Sequence, residues 1–255
     1  SLDAGAGTVA VQRADAAADL FRLAGDPGAA IECGRIAGRA ALAAGRLDQA
    51  RDEFDRGLLA AGSVDARDWL PGLYLLDLSE LKLLIGDPAG SRADAWQARS
   101  LLNGLPLEQT RSDVLRARAC LELKDLPGSW AALDDGGHQL MRALTSGAAG
   151  PFDQACLDAA IGELLLAVGD VDRAAELFAT AAQTFRAHQA WEGEAHCRLY
   201  EGDIAVLQGN YQQALELYAG AGEFFRDRGD AIQAASCQHG QAVAQLHLAQ
   251  EVQRQ

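Results

Sequence analysis

The chain has 255 residues, of which 49% are apolar and only 6% aromatic, and its formal net charge at pH 7 is −14. That charge argues against binding to the phosphate backbone of nucleic acids, because such proteins need clustered cations to displace condensed counterions. The low aromatic content predicts an interior of alanine and leucine, which suits closely packed helices. A repeat array grows along one axis, so this length predicts one continuous domain over residues 1-255.

The first predicted element is an amphipathic half repeat over residues 8-24. Its apolar stripe consists of Ala10, Ala14, Ala17 and Phe21, and Gly25-Asp26-Pro27 ends the helix. The same order of three small residues and one aromatic residue returns in the second helix of the later repeats. The array is therefore expected to open on half a repeat.

Five complete repeats and a final helix follow, and each first helix carries one small residue that we call the anchor. The anchors recur at intervals of roughly forty residues, the signature of stacked helix pairs. They are Gly38, Ser79, Ala117, Gly162, Gly202 and Ala242. A second small residue, which lets helix backbones approach closely, lies twelve positions later in Ala50, Ser91, Ser129, Ala174 and Ala214. The predicted repeats are 27-62, 68-103, 107-144, 151-188 and 190-228, with the final helix at 230-252.

The turn inside each repeat is expected seven residues after the anchor. A left-handed glycine there closes the first helix, and Asp or Asn in the next place can accept from the free N–H groups of the second helix. The glycines at this place are Gly45, Gly86, Gly169 and Gly209. The third repeat departs from the pattern with Lys124, and its second helix, which contains Gly136-Gly137, is expected to be the weakest. A turn-rich insertion at 145-151 precedes the fourth repeat.

These residues resemble the tetratricopeptide repeat family, in which antiparallel helix pairs stack into a right-handed superhelix. The best match begins at Gly202, continues through the turn Gly209-Asn210, and reaches Ala214, Tyr218 and Ala221. The long interval is similar to the extended repeats of kinesin light chains and of sensor regions in bacterial signalling ATPases and transcriptional regulators. The resemblance implies an all-α, right-handed α-solenoid with five full repeats and a flanking helix at each end.

The resemblance also implies a concave groove lined by the first helices. Its positions lie one residue after and three residues before each anchor, and their four-residue spacing places each pair on one helical face. The charged residues at these positions are the candidates for ligand binding: Arg35, Arg39, Glu80, Arg118, Glu163, Asp203 and His239. Arg111, one further turn along the same face as Arg118, is an additional candidate. The arginines are expected to receive acidic groups of an extended or helical peptide. The alternative is that these charges are solvated or pair between helices, for example Arg39 with Glu80.

The cysteines and histidines do not show the short-spaced ligand pairs of a zinc site. Cys33, Cys197 and Cys237 each lie five residues before an anchor, which predicts packing in the core. We therefore expect no metal and no cofactor. Five reduced cysteines, together with the lack of a long apolar run or signal peptide, predict a cytoplasmic protein that does not bind membranes.

Three phenylalanines recur near the ends of second helices, and they are expected to pack between repeats rather than to bind a cofactor. They are Phe21, Phe185 and Phe225.

The sequence contains no phosphate-binding, nucleophile-elbow or zinc-protease motif, so we expect no enzyme. The leading interpretation is a protein- or peptide-binding scaffold, the interaction region of a larger bacterial polypeptide. One alternative is a regulatory sensor region of a signalling ATPase or transcriptional regulator that binds a small effector or signalling peptide. Another is self-association through the final helix, whose apolar stripe includes Ala242, Leu246 and Ala249.

Overall fold

A computed structural model describes residues 2–63 and 68–254, with side chains for 8–63 and 68–250. Every regular element in the described residues is an α-helix, and none is a strand. Within each of the two compact units described next, consecutive helices pack against each other. The predicted fold class, an all-α solenoid of antiparallel helix pairs, is confirmed. Packing divides the chain into two compact units, Ser1–Ala148 and Ala149–Gln255, and the single continuous domain stays a prediction.

The N-terminal unit, Ser1–Ala148, holds three hairpins preceded by one helix. Each helix contacts its neighbours in sequence, and the first helices α2, α4 and α6 also contact one another in order. The helices are α1 (Leu2–Leu23), α2 (Pro27–Ala43), α3 (Leu47–Ala61), α4 (Leu70–Leu84), α5 (Pro88–Leu101), α6 (Pro106–Glu122) and α7 (Leu126–Thr145).

The C-terminal unit, Ala149–Gln255, holds two hairpins followed by one long helix. Its first helices α8, α10 and α12 also contact one another in order. The helices are α8 (Pro151–Val168), α9 (Val171–Ala187), α10 (Trp191–Leu207), α11 (Tyr211–Arg228) and α12 (Ala231–Arg254).

The anchors work as contact points between the two helices of a hairpin. An aromatic ring sixteen residues later covers each glycine anchor: Cβ built on Gly162 would lie 3.0 Å from Phe178 Cζ, and Cβ built on Gly202 would lie 2.7 Å from Tyr218 Cε1. At the Ser79 anchor, the side-chain Oγ instead donates to the backbone oxygen of Ser91 at 3.0 Å. The absence of a side chain at a glycine anchor thus leaves the space that the aromatic ring of the second helix fills.

The turns follow the predicted chemistry with two departures. The expected glycines all have positive φ, and Lys124 adopts the same left-handed backbone with φ 61°. The side chains of the following aspartates cap the next helices, as Asp87 does by accepting from Gly90 N at 2.9 Å. Asn210 does not cap α11; its amide nitrogen donates instead to Gln208 Oε1 at 3.5 Å.

Two predictions about core residues had different outcomes. Cys33, Cys197 and Cys237 are buried in apolar clusters, so their packing role is confirmed. Phe185 and Phe225 are buried as expected, but Phe21 is 40% exposed. The prediction for Phe21 is wrong. Among the described residues α1 packs against α2, and no first helix precedes α1 to cover its other face.

Candidate functional site

In the N-terminal unit, three of the predicted groove residues belong to one buried ion-pair network centred on Asp77. Arg35 Nη1 donates to Asp77 Oδ2 at 2.8 Å from α2. Arg111 Nη2 on α6 contacts Asp77 Oδ1 at 3.3 Å and Glu80 Oε2 at 2.9 Å. The Asp77 side chain is 1% exposed. This network links three successive first helices, α2, α4 and α6.

The network changes the role of these arginines. Burial of the Arg111 guanidinium opposes its charge, but the carboxylates of Glu80 and Asp77 raise its pKa, so the side chain stays cationic. The expected alternative pair of Arg39 with Glu80 is not formed, because Glu80 pairs with Arg111 instead. The guanidinium donors of Arg35 and Arg111 thus bind the buried carboxylate of Asp77. An acidic group of a ligand would need an arginine with exposed donors.

Arg39 and Arg118 differ from the other two arginines in exposure. Arg39 lies on α2 one residue after the Gly38 anchor, and Arg118 lies on α6 one residue after Ala117. Both are exposed. They are the N-terminal groove candidates whose side chains reach solvent most fully.

In the C-terminal unit, groove residues from α10 and α12 converge on one open depression of about 760 Å³. Leu199 and Asp203 line it from α10, and His239 lines it from α12. Its floor is completed by apolar and small residues, among them Ile232, Ala235 and Ser236. Glu163 lies on α8, is half-buried and does not line this depression. The structure therefore brings Asp203 and His239 together and leaves Glu163 apart.

The electrostatics of this depression depend on the partly buried Asp203. Tyr218 donates to its Oδ1 at 2.6 Å from α11. Burial raises the pKa of Asp203, and the Tyr218 hydrogen bond and the nearby His239 oppose the rise. The depression thus combines one carboxylate, one imidazole and apolar lining residues.

A second cluster in the C-terminal unit was not expected from the sequence. Glu194, on α10, is buried, and its Oε1 accepts from Arg186 Nε at 3.1 Å, Arg186 Nη2 at 2.8 Å and Arg198 Nη2 at 2.7 Å. Trp191 and Phe224 stand beside it at a smaller cavity of about 270 Å³. These contacts join the end of α9 to α10, so the cluster fixes one hairpin against the next.

Asp77, which sequence reasoning missed, carries a signal in the sequence. Asp77 lies two residues before its anchor, where the other first helices carry Ile36, Leu115, Ala160, Tyr200 and Gly240. A carboxylate at a position that is uncharged in every other first helix is a signal in the sequence for a buried ionic partner. A second such network joins the fully buried Asp113 to Arg99 at 2.8 Å and to Arg116 at 3.2 Å.

No group of three or more His, Cys, Asp or Glu side chains in the described residues could hold a metal ion. Four of the cysteines are buried, and Cys156 is exposed. Burial raises the pKa of the Cys197 thiol to about 12, with nearby Glu201 and Glu163 adding to the rise. No helix within the described residues is long and apolar enough to cross a bilayer.

Two solved structures are similar to this chain. The crystal structure of Rap protein complexed with Competence and Sporulation Factor matches with a TM-score of 0.67 and 15% identity, over 81% of this chain and 56% of the Rap chain. BtubC (BKLC) from P. vanneervenii matches with a TM-score of 0.59 and 16% identity, over 90% of this chain and 91% of BtubC.

The chain thus spans 56% of the length of the Rap protein it matches. No protein-family model matches the sequence, and no curated protein does either. At these identities the similarity concerns the fold. The chain has the fold of helical-repeat solenoids of the tetratricopeptide type.

Proposed function

We propose that the chain is a non-catalytic scaffold that binds a protein or peptide ligand on the groove-facing side of its first helices, within a larger cytoplasmic bacterial polypeptide. The observation that carries the proposal is the convergence of Leu199, Asp203 and His239 from two first helices on one open depression. The similarity of fold to Rap protein, solved as a complex with Competence and Sporulation Factor, supports it.

The surfaces indicate which ligand groups fit. In the C-terminal unit, Leu199 and Ile232 provide apolar contact, and Asp203 provides an acceptor for a cationic or hydrogen-bonding group. In the N-terminal unit, the exposed arginines Arg39 and Arg118 would receive acidic groups of the ligand. Arg35 and Arg111 are left out of this assignment, because a ligand would have to compete with Asp77 for them. One continuous groove along both units remains part of the proposal.

Selection from a phage-displayed random peptide library against the purified chain tests the proposal. We expect enriched peptides that bind with dissociation constants in the micromolar range, measured by fluorescence anisotropy. Peptides that use the depression should bind about tenfold more weakly to Asp203→Asn and His239→Ala, a loss of about 1.4 kcal/mol. The matched control is His138→Ala, because His138 is an exposed histidine on the second helix α7.

Acidic peptides test the arginine part separately. They should lose affinity with Arg39→Glu and keep it with Arg51→Glu, since Arg51 is an exposed arginine of the second helix α3. If no peptide is enriched, or if every variant binds the enriched peptides equally, the groove proposal is wrong.

The similarity to a protein complexed with a competence and sporulation factor favours a second candidate, a sensor region of a signalling ATPase or transcriptional regulator. A sensor would be stabilised thermally by a small effector or signalling peptide, because a ligand that binds only the folded state raises the melting temperature. The full open reading frame separates the candidates: an adjoining nucleotide-binding or DNA-binding domain identifies a sensor.

A further inference from the structure

The smaller cavity of the C-terminal unit, of about 270 Å³, carries two arginines and two aromatic rings. It lies between the end of α9, the first half of α10 and the second half of α11. We call it the arginine cavity, and its lining includes Arg186, Trp191, Glu194, Arg198, Gly220 and Phe224. Helix α10 also contacts α8 and α12, so the cavity belongs to the interior of the helix array and is not created by an end of the chain.

The two arginines keep hydrogen-bonding capacity after they have paired with Glu194. Arg186 uses Nε and Nη2, and Arg198 uses Nη2, all on Oε1 of Glu194. No hydrogen bond to another described residue involves the Nη1 group of either arginine. The two side chains are 57% and 42% exposed, so both are accessible from solvent. Each arginine can therefore bind a second acceptor.

Two further charges act on the lining residues in opposite directions. The half-buried Glu201 acts on both arginines through its charge, without an ion pair to either within the described part of the chain. Arg228 places a cation over the Phe224 ring, with its Cζ 5.2 Å from the ring centroid. Since these two charges offset each other, the lining has two guanidinium groups for the one carboxylate of Glu194. The excess of one positive charge favours an anionic ligand.

Gly220 leaves a gap where the other four complete repeats carry a polar side chain. The residues eighteen positions after the five anchors are Arg56, Gln97, Asp135, Thr180 and Gly220. In α7, Asp135 Oδ2 accepts a hydrogen bond of 2.6 Å from Arg116 Nη2 of the preceding helix. In α11, the atom nearest to a Cβ built on Gly220 is Arg198 Nη1, at 3.5 Å. The arginine of α10 thus lacks the carboxylate that the third repeat supplies from the same place.

Two aromatic rings give the cavity an apolar part. Trp191 is 46% exposed, and Phe224 is half-buried. The volume of about 270 Å³ is just below the range of about 300–1,000 Å³ for small-molecule pockets, so the cavity has room for a ligand the size of one ring. Exposed aromatic faces favour contact with such an apolar or aromatic body.

We propose that the arginine cavity binds a small organic acid. The carboxylate of the ligand accepts hydrogen bonds from Arg186 and Arg198, and its apolar or aromatic body packs against Trp191 and Phe224. A free organic acid and the C-terminal residue of a peptide both have this chemistry. The inference does not rest on the proposed function, because the arginine cavity and the depression share no lining residue.

Titration with phenylacetate, followed by proton–nitrogen correlation spectra of the whole chain, tests the proposal. The indole N–H signal of Trp191 should shift progressively, with a dissociation constant in the millimolar range because the ligand is small. The indoles of Trp69, Trp96 and Trp130 belong to the N-terminal unit, so their signals should stay in place. Trp191→Phe assigns the shifting signal.

Two comparisons of ligands test the chemistry and its source. Phenylacetamide has the same ring without the charge and should bind at least tenfold more weakly than phenylacetate. N-acetylglycyl-phenylalanine carries the carboxylate at the end of a peptide. Tighter binding of this peptide acid than of phenylacetate identifies a chain terminus as the source of the carboxylate, and weaker binding identifies a free acid.

Gly220→Asp is the most direct variant, because it supplies a carboxylate from α11 and keeps both arginines. It should weaken phenylacetate binding at least tenfold. Thr180→Asp is the matched control, since Thr180 is exposed at the same place of α9 and does not line the cavity. Arg198→Gln should also weaken binding at least tenfold, and Glu194 keeps its two hydrogen bonds from Arg186 in that variant.

Circular dichroism melting checks that each variant folds. The proposal would be overturned by an unmoved Trp191 signal, by equal binding of phenylacetate and phenylacetamide, or by unchanged binding to both Gly220→Asp and Arg198→Gln. Peptide binding at the depression should be the same for Gly220→Asp and the wild type, because Gly220 does not line the depression. Failure of one site therefore leaves the other site standing.

Discussion

Tyr218 on α11 donates a hydrogen bond of 2.6 Å to Oδ1 of Asp203 on α10, and the same ring covers the glycine anchor of that hairpin. One side chain thus joins the packing of the hairpin to the carboxylate that lines the open depression. The carboxylate it meets is partly buried, so the protonation of Asp203 is coupled to folding.

Asp203→Asn should flatten the pH dependence of stability. Burial raises the pKa of Asp203 in the folded protein above its value in the unfolded chain. The protonated carboxyl therefore stabilises the fold at a pH below the unfolded-state pKa, and this stabilisation is lost as the pH rises through the folded-state pKa. The loss therefore begins near pH 4, where an unperturbed aspartate titrates. Asparagine keeps an acceptor for Tyr218 and has no charge to bury.

Urea denaturation at a series of pH values measures this effect. Between about pH 4 and 7 the difference in the free energy of unfolding, variant minus wild type, should increase with pH. Asp19→Asn serves as the control, because the Asp19 side chain is 73% exposed. Parallel pH profiles for the wild type and Asp203→Asn would contradict the assignment.

Asp77→Ala should be among the most destabilising substitutions in the N-terminal unit. It leaves Arg35 and Arg111 without their shared carboxylate, and loss of one partner from a buried pair costs about 3 kcal/mol at the lower end of the measured range. We expect the lower end because both arginines retain some access to water. Chemical denaturation monitored by circular dichroism gives the value.

Asp19→Ala is again the matched control, because the exposed pair of Asp19 and Arg22 should contribute less than about 1 kcal/mol. A loss for Asp77→Ala no larger than that of the control would show that the network is not a stabilising link between α2, α4 and α6.

Lys124→Gly should stabilise the third hairpin. Lys124 has a left-handed backbone with φ 61°, which costs a residue with a Cβ about 1–2 kcal/mol, while the added freedom of an unfolded glycine returns about 0.4–1 kcal/mol. A net gain of about 0.5 kcal/mol in thermal or urea unfolding is expected.

Gly209→Lys is the reciprocal change at the equivalent turn. Gly209 has φ +77° and open space around a built Cβ. Backbone strain of about 1–2 kcal/mol, offset by about 0.4–1 kcal/mol from the less flexible unfolded chain, should leave a net loss of about 0.5 kcal/mol. Equal signs for the two substitutions would show that the turn conformation does not control the stability of these hairpins.

Alkylation should distinguish one cysteine from the other four. Cys156 is exposed, whereas Cys33, Cys120, Cys197 and Cys237 are buried. Burial also raises the pKa of Cys237 to about 11 and that of Cys197 to about 12, so few thiolates form there at neutral pH. Iodoacetamide should label Cys156 alone in the folded protein, as mass spectrometry of tryptic peptides would report.

Cys156→Ser should then remove the fast labelling, and denaturant should restore reactivity at the four remaining thiols. Rapid native labelling of Cys197 would contradict its placement in the core.

The repeating architecture could be predicted because it depends on local, recurring requirements. Glycine anchors, small residues twelve places later and left-handed turns recur in most hairpins, and each is visible in the sequence alone. The division into two compact units could not be predicted in this way. The sequence predicts a turn-rich insertion at 145–151, but its effect on packing depends on helices that lie far apart in sequence.

The charged residues of the site were harder to predict than the helices. The repeat register placed Arg35, Glu80 and Arg111 on first helices correctly, but it gave no information about which carboxylate each guanidinium would meet. Asp77 decides that question, and its partners lie 42 and 34 residues away in the sequence. Pairing over such separations depends on rotamers and on the distance between neighbouring helices, which a residue pattern does not specify.

The ring of Tyr218 lies between two glycines on different first helices, Gly202 and Gly240, and a methyl group on either would collide with it. The three positions can therefore diverge only together in evolution. Enlarging either glycine would be tolerated in lineages whose residue 218 had already become smaller, and a smaller residue 218 would release both glycines at once. In an alignment of related chains, covariation among positions 202, 218 and 240 would record that order of events.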